Sequence, residues 1–344
     1  MVSCRELFSE FNTMNRLLCS FYLMQEEGDA RAKDIIISGG DVFTEVDFTL
    51  PLEQKLAWIN SNIGKVDLEN RFPIRVDFTA SLNLADYLQG LWSQPKVWLR
   101  VRRGKMEQVK NILIKEGIVF QTHDEMPNAI QLDQGVSLDK LNFLDKGLAE
   151  VQDLSSQRTM ALIPAKSSEH WYDACAASGG KSLMLMDSVP GVKLTVSDNR
   201  EAILVNLKER FNRNGILNYS FFIADLTDPT WKPEAGVQFD GIIADVPCSG
   251  SGTWARTPEQ MSIFDEEKLS HYISLQDKIT KKLCSLLSPG GKLVYITCSV
   301  FKAENEDRVV ALENLLGMKC VESKLYQGTL EGADTLFVAL LEKK

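Results

Sequence analysis

From about Val151 to the C-terminus, apolar runs of strand length alternate with stretches of helical period. That alternation is the pattern of an α/β fold built on a doubly wound, mostly parallel sheet with helices on both faces. The expected strands are HWYDAC, VKLTVSD, SFFIAD, FDGIIADVPC, GKLVYITCS and, near the C-terminus, DTLFVALLE. Asp173, Asp198, Asp225 and Asp245 fall at or near the C-terminal ends of four of them. A single aspartate there reads as a helix N-cap. Four in succession mark the edge at which open α/β sheets bind their ligands.

Upstream the texture differs. Residues 1–90 are helical in pattern: Leu7, Phe11, Met14, Leu18 and Phe21 recur at steps of four and three and form one core-facing stripe. PLEQKLAWI and LNLADYLQGLW read as two further helices. Residues 91–150 carry a short strand (VWLRV), a helix (KMEQVKNILIKEG) and two more strands (GIVFQT, AIQLD), a small α+β unit. The expected division is therefore 1–90, 91–150 and 151–344, and a chain of 344 residues, 44% apolar, is long enough to bury such cores. No apolar stretch approaches the roughly 20 residues of a membrane span, and Arg5, Glu6, Glu10 and Arg16 interrupt the one candidate signal region. Seven cysteines at irregular spacing, with no Cys-x-x-Cys, form neither a disulfide framework nor a zinc site. They imply a reducing, cytoplasmic compartment, and a monomer is the default expectation. The net charge of −9 does not attract polyanions. Only WLRVRRGK, with Arg100, Arg102, Arg103 and Lys105, concentrates positive charge, either as a solvated face or as a grip on a phosphate backbone.

After the first strand of the C-terminal domain, AASGGKS turns into the helical stretch SLMLMD. Paired glycines at such a turn let a ligand approach the backbone and meet a helix N-terminus. A P-loop would need glycine where Cys175 stands, and a Gly-x-Gly-x-x-Gly dinucleotide fingerprint is absent. Asp198, 18 residues after Gly180, is placed to bind a ribose diol, and Asp225 to accept from an adenine amino group. A ribose and an adenine without a pyrophosphate suggest S-adenosylmethionine. Two thiols end neighbouring apolar runs, Cys248 in DVPCSGSG and Cys298 in TCSVFKAENE. A lone strand-end cysteine is usually core, whereas two in matched positions point at one spot.

DACAASGGK, DVPCSGSG and TCSVFKAENE, in that order, resemble the motifs of the Fmu/Sun (Nop2/Sun-type) family of RNA 5-methylcytosine methyltransferases. FLDKGLAEVQDLSSQ is similar to the segment entering the family's catalytic domain, and PKVWLRVRRGK looks like the start of its RNA-recognition-like subdomain. The resemblance covers about Pro95 to the C-terminus; residues 1–90 match only in being helical. It implies a Rossmann-like S-adenosylmethionine-dependent methyltransferase fold. It places the cofactor on Cys175, Ala176, Ala177, Ser178, Gly179, Gly180 and Lys181, with Asp198, Asp225 and Asp245. The family pattern makes Cys298 the nucleophile that adds to carbon 6 of cytosine, and Cys248 the thiol that helps release the product. Asp245 would bond the base at N3 or its amino group, with Lys181 near both substrates. Serine replaces the family's usual proline at Ser178, which implies a looser loop and weakened cofactor binding. The implied partner is RNA, ribosomal ahead of transfer RNA, with no DNA or membrane and no metal. Its target base must be unstacked or single-stranded, and its backbone would be gripped by Arg100, Arg102, Arg103 and Lys105, with Arg256 nearer the catalytic loop. His123, His170 and His271 read as structural or surface residues, and Trp171 and Trp254 as base-stacking or simply buried. Two other functions fit the same chain less well. An amine methyltransferase normally carries Asn/Asp-Pro-Pro-Tyr/Phe where this chain has Asp-Val-Pro-Cys. A noncatalytic RNA-binding module has only Ser178 in its favour.

Overall fold

The computed structural model describes residues 50–64 and 76–344, apart from 92, 134, 135, 137–141 and 233–235, together with Cys19 and Asp47. The stripe from Leu7 to Phe21 lies outside the described residues. Both later helices of that region form, α1 (Leu52–Asn62) and α2 (Leu84–Gly90). Asn83 starts α2 by accepting from Asp86 N–H through its side chain, an N-cap. The buried face of α2, Tyr87 and Leu88, packs against Trp254, Leu269, Val300 and Phe301. Tyr87 also donates its hydroxyl to the Ser251 carbonyl at 2.8 Å, so α2 braces the loop that follows DVPC.

The small α+β unit holds β1 (Val97–Val101), α3 (Met106–Lys115), β2 (Phe120–Thr122), β3 (Ala129–Leu132) and β4 (Ala149–Val151). Its antiparallel sheet runs β2-β3-β1-β4. Val109 and Leu113 of α3, one turn apart, bury against Leu99, Val101, Ile130 and Leu132. β4 was not expected. Its three residues become a strand by pairing with β1.

After α4 (Leu154–Arg158) the chain alternates β5 (His170–Asp173), α5 (Gly180–Ser188), β6 (Lys193–Asp198), α6 (Glu201–Arg213), β7 (Ser220–Ile223) and β8 (Phe239–Asp245). It ends with α7 (Glu266–Leu286), β9 (Leu287–Thr297), α8 (Glu306–Leu316), β10 (Met318–Gln327) and β11 (Thr335–Lys343). The sheet order is β10-β11-β9-β8-β5-β6-β7, with β9, β8, β5, β6 and β7 parallel and β10 and β11 antiparallel. Alternate residues face opposite layers. Tyr172, Ile242, Leu293 and Tyr295 meet Ile279 and Leu283 of α7 and Leu312 of α8. Trp171, Ile243, Val294 and Ile296 meet Leu183 and Leu185 of α5 and Leu207 and Phe211 of α6. These strands are covered on both sides, which is why they read as continuous apolar runs. β10 was not expected, because it is an edge strand with most residues at least partly exposed and no such run. The chain winds outward from β5 in both directions, so the crevice opens above the C-terminal ends of β5 and β8. Among the described residues, no helix is long and apolar enough to cross a membrane.

Candidate active site

The loop after β5 is shaped by two left-handed residues, Ala177 (φ 46°) and Gly179 (φ 82°). A Cβ on Gly179 would lie 2.6 Å from Phe211 Cε1, so glycine is required there for conformation and for space. The loop borders a cavity of about 520 Å³. Cys175, Ala177, Asp198, Asp225, Asp245, Cys248 and Cys298 line it. Ala176, Ser178, Gly179, Gly180 and Lys181 shape the loop from behind rather than lining the cavity. Asp198 accepts from Ala177 N–H at 3.1 Å and from the Arg200 guanidinium at 2.9 and 3.1 Å. Burial alone would raise Asp198, but Arg200 and the two loop N–H groups hold it below the ordinary carboxylate range. Burial pushes the Cys175 thiol well up. Ser178 is anchored. Arg210 of α6 donates to its hydroxyl at 3.0 Å and its carbonyl at 3.3 Å, and Glu150 of β4 holds Arg210 at 2.6 Å. This tether supplies restraint where the sequence reading expected a looser loop.

Asp173 lies beneath the loop, 1% exposed, accepting from Ser182 Oγ at 2.6 Å. Burial raises it to about 7, against the Ser182 bond, with the charge of Asp245 adding to the rise. A carboxyl raised on folding stabilises the native state most below its unfolded value near 4, and that contribution is lost as pH climbs through 7. Asp173→Asn should therefore flatten the fall in stability between about pH 4 and pH 7, by on the order of 4 kcal/mol. Urea midpoints measured across that range check it. Asp334 is also raised to about 7, by burial and then by Asp153, so the difference between variant and parent isolates Asp173.

β8 delivers the acid and the first thiol. It ends at Asp245, since Pro247 has no N–H to continue the ladder. The Pro247 carbonyl accepts from Gln276 of α7 at 3.0 Å, which fixes the turn before Cys248. Lys181 reaches Asp245 at 2.6 Å and is 10% exposed. Burial would lower Lys181, but the charge and hydrogen bond of Asp245 outweigh it and keep the ammonium charged. β9 delivers the second thiol, and Cys248 Sγ and Cys298 Sγ stand 3.2 Å apart. Among the described residues all six cysteines are free thiols. Gly252 N–H donates to the Cys298 carbonyl at 2.9 Å. Asn305, the residue before α8, bonds Thr297 and the Ser299 carbonyl, the two neighbours of Cys298, so this helix starts beside the thiol. The hydrogen bond with Cys298, then burial, then the fields of Cys298 and Glu304 all push the Cys248 thiol up.

The structure corrects the phosphate-grip reading for three arginines. β1 turns Arg100 inward, where it is buried on Asp187 at 2.6 Å and Gln152 at 2.7 Å. Arg102 holds the same Asp187 at 2.7 Å and the Asn214 carbonyl at 2.7 Å. Arg256 joins Asp334 at 2.7 Å, Asp153 at 3.0 Å and the Lys96 carbonyl. All three fasten the small unit to the large one. Arg103 and Lys105, in the turn after β1, are the exposed cations of the run. His123 bonds Glu331, which also pairs with Arg158, and Trp171 and Trp254 are fully buried. Sequence reasoning missed Gln276, Arg200 and Glu304. The last stands in the quoted ENE, but only its partners reveal it.

The model of the family described as 16S rRNA methyltransferase RsmB/F matches residues 159–329, the span that carries both cysteine turns and the glycine loop after β5. This chain belongs to the RsmB/F (Fmu/Sun) family. Among its relatives, ribosomal RNA small subunit methyltransferase B of Proteus mirabilis is 32% identical over 261 residues, covering 75% of this chain and 61% of that protein. The Xylella fastidiosa protein of the same name is 32% identical over 229 residues, covering 66% of this chain and 52% of that protein. The chain thus spans between about half and three-fifths of these RsmB/F relatives. Two solved structures from Pyrococcus horikoshii share the fold. One is NSun6 with SFG (TM-score 0.67, 18% identity, 75% of this chain and 94% of that one). The other is a methyltransferase homolog protein (TM-score 0.62, 23% identity, 75% and 90%). The fold is accordingly the Rossmann-like methyltransferase fold.

Proposed function

We propose that this protein is a cytoplasmic S-adenosylmethionine-dependent RNA (cytosine-5)-methyltransferase that acts on ribosomal RNA through a covalent bond between Cys298 and the target base. The observation that carries this is the pair of thiols 3.2 Å apart on the wall of an acid-ringed cavity. The names of the curated relatives favour ribosomal over transfer RNA.

The cavity residues fit the cofactor. Its volume is that of a small-molecule site. Leu226 and Ile279 offer apolar walls, Asp225 is exposed, and Asp198 is a carboxylate whose only side-chain partner among the described residues is Arg200, itself 59% exposed and able to swing into solvent. Asp198 would hold the ribose diol and Asp225 the adenine amino group, with the backbone from Cys175 to Ala177 alongside. When bound, S-adenosylmethionine supplies the electrophilic methyl group.

The thiolate of Cys298 adds to carbon 6 of the cytosine, and the carbon 5–carbon 6 π pair moves onto carbon 5, making it nucleophilic. Asp245, oriented by Lys181, bonds the ring edge and offsets charge that develops there. Loss of the carbon-5 proton and departure of the sulfur restore the ring and the thiolate. Cys248 is the group within reach of that step.

The test is incubation with labelled cofactor and ribosomal RNA, followed by digestion. Label in 5-methylcytosine is expected, and label in any other nucleoside would overturn the reading. Replacing Arg103 and Lys105 by alanine should weaken RNA binding and reduce the slope of log affinity against log salt by about one to two. An unchanged slope would remove these cations from the RNA interface.

A further inference from the structure

We propose that Glu304 is the positioning residue of this site: it locks the two cysteine turns against each other and makes their thiols chemically unequal. The inference rests on the covalent reading above and names the group that separates the two sulfurs' roles. Glu304 closes a short 3-10 turn, Lys302–Glu304, and is fully buried. Its Oε1 accepts from Ser249 N–H at 2.9 Å and from Gln276 Nε2 at 3.0 Å. Its Oε2 accepts from Ser249 Oγ and Ser299 Oγ, each at 2.5 Å. Ser249 follows Cys248 and Ser299 follows Cys298, so one carboxylate holds the residue after each thiol. Gln276 holds the Pro247 carbonyl on the other side of Cys248 as well. The two turns are 50 residues apart in sequence, and this clamp sets their sulfurs in contact.

Among the described residues no lysine or arginine pairs with Glu304. Its partners are hydroxyl, amide and backbone donors, the set that an acceptor-only carboxylate requires. A buried carboxylate without a cation is costly in a purely structural role. Here its field falls on Cys248. The groups facing Cys248 are the Cys298 sulfur, the Glu304 carboxylate and the phenols of Tyr272 and Tyr295. Asp245, paired with Lys181, borders the same cavity, as do Asp198 and Arg200. Glu304 adds to the push of Cys298 on Cys248, and thus to what holds the proton on Cys248.

The experiment is alkylation of the intact protein with iodoacetamide over a range of pH, with the modification of Cys248 and Cys298 followed separately by peptide mass spectrometry. It needs neither RNA nor a methyl donor. Glu304→Gln removes the charge and should shift the Cys248 profile to lower pH by about one unit, a tenfold faster reaction at pH 8, with S-adenosylmethionine affinity as the control for folding. Ser299→Ala removes a donor that neutralises the carboxylate and leaves the charge in place, so it should shift Cys248 the opposite way. It also serves as the test if Glu304→Gln does not fold. A Cys248 profile unmoved in a folded variant overturns the inference about Glu304. Absence of a covalent RNA adduct in the Cys248→Ala protein would instead overturn the functional reading beneath it.

Discussion

Cys298→Ala should abolish methyl transfer, by at least about a thousandfold, while S-adenosylmethionine still binds within a fewfold of the parent. The argument is geometric. Cys298 lies at the end of β9 on the cavity wall, and its removal deletes the attacking atom without touching Asp198 or the loop from Cys175 to Lys181. Cys248→Ala should behave differently. Carbon 6 can still be attacked, but the thiol placed to assist release is gone, so the chain should accumulate as an RNA adduct that survives denaturing electrophoresis. Single-turnover transfer, cofactor titration and gel mobility of the two proteins side by side decide the matter. Methyl transfer by Cys298→Ala at the parent rate, or an adduct formed by Cys298→Ala rather than by Cys248→Ala, would reverse or remove the assigned roles.

Gly252→Ala should also be damaging, from a position that bears no chemistry. A Cβ there would lie 1.9 Å from the Thr335 carbonyl oxygen, 2.9 Å from its carbon and 3.1 Å from the Cys298 carbonyl oxygen. All three are backbone atoms, so no side chain can rotate out of the way. Either the start of β11 moves or the loop after DVPC does, and the second breaks the bond from Gly252 N–H to the Cys298 carbonyl. Overpacking of this kind costs about 1–3 kcal/mol or more. A lower denaturation midpoint and a drop of at least about tenfold in transfer rate are expected together, since the Cys298 backbone is held by the Gly252 N–H and borders the clash. A variant with the parent's midpoint and rate would show that the contact is relieved without cost.

Much of the frame was legible because of what burial demands. Strands covered on both faces must be apolar throughout, so β5, β6, β8, β9 and β11 stood out, and the turns that follow must carry ligand-binding groups on short, small-residue loops. The elements that did not stand out lack this signature. β10 lies at an edge and needs few apolar residues, and β4 is three residues that become a strand only against β1.

The candidate site divides along the same line. Its residue types and order, the four aspartates, the glycine loop and the two cysteines are properties of local chain, and they were read without coordinates. What each charged group does was not. Arg100 and Arg102 were expected on RNA because a run of arginines looks the same whether solvated or buried; their partner Asp187 lies more than 80 residues away. Ser178 was expected to loosen its loop, yet Arg210 holds it from 32 residues further on.

The sequence by itself determined the layered architecture and the chemical groups available, because periodicity and local motif are written along the chain. Only the tertiary structure decided which carboxylate meets which cation, and that Glu304 stands behind both thiols. Coulomb and hydrogen-bond energies depend on distances of a few ångströms between segments whose separation along the chain carries no such information.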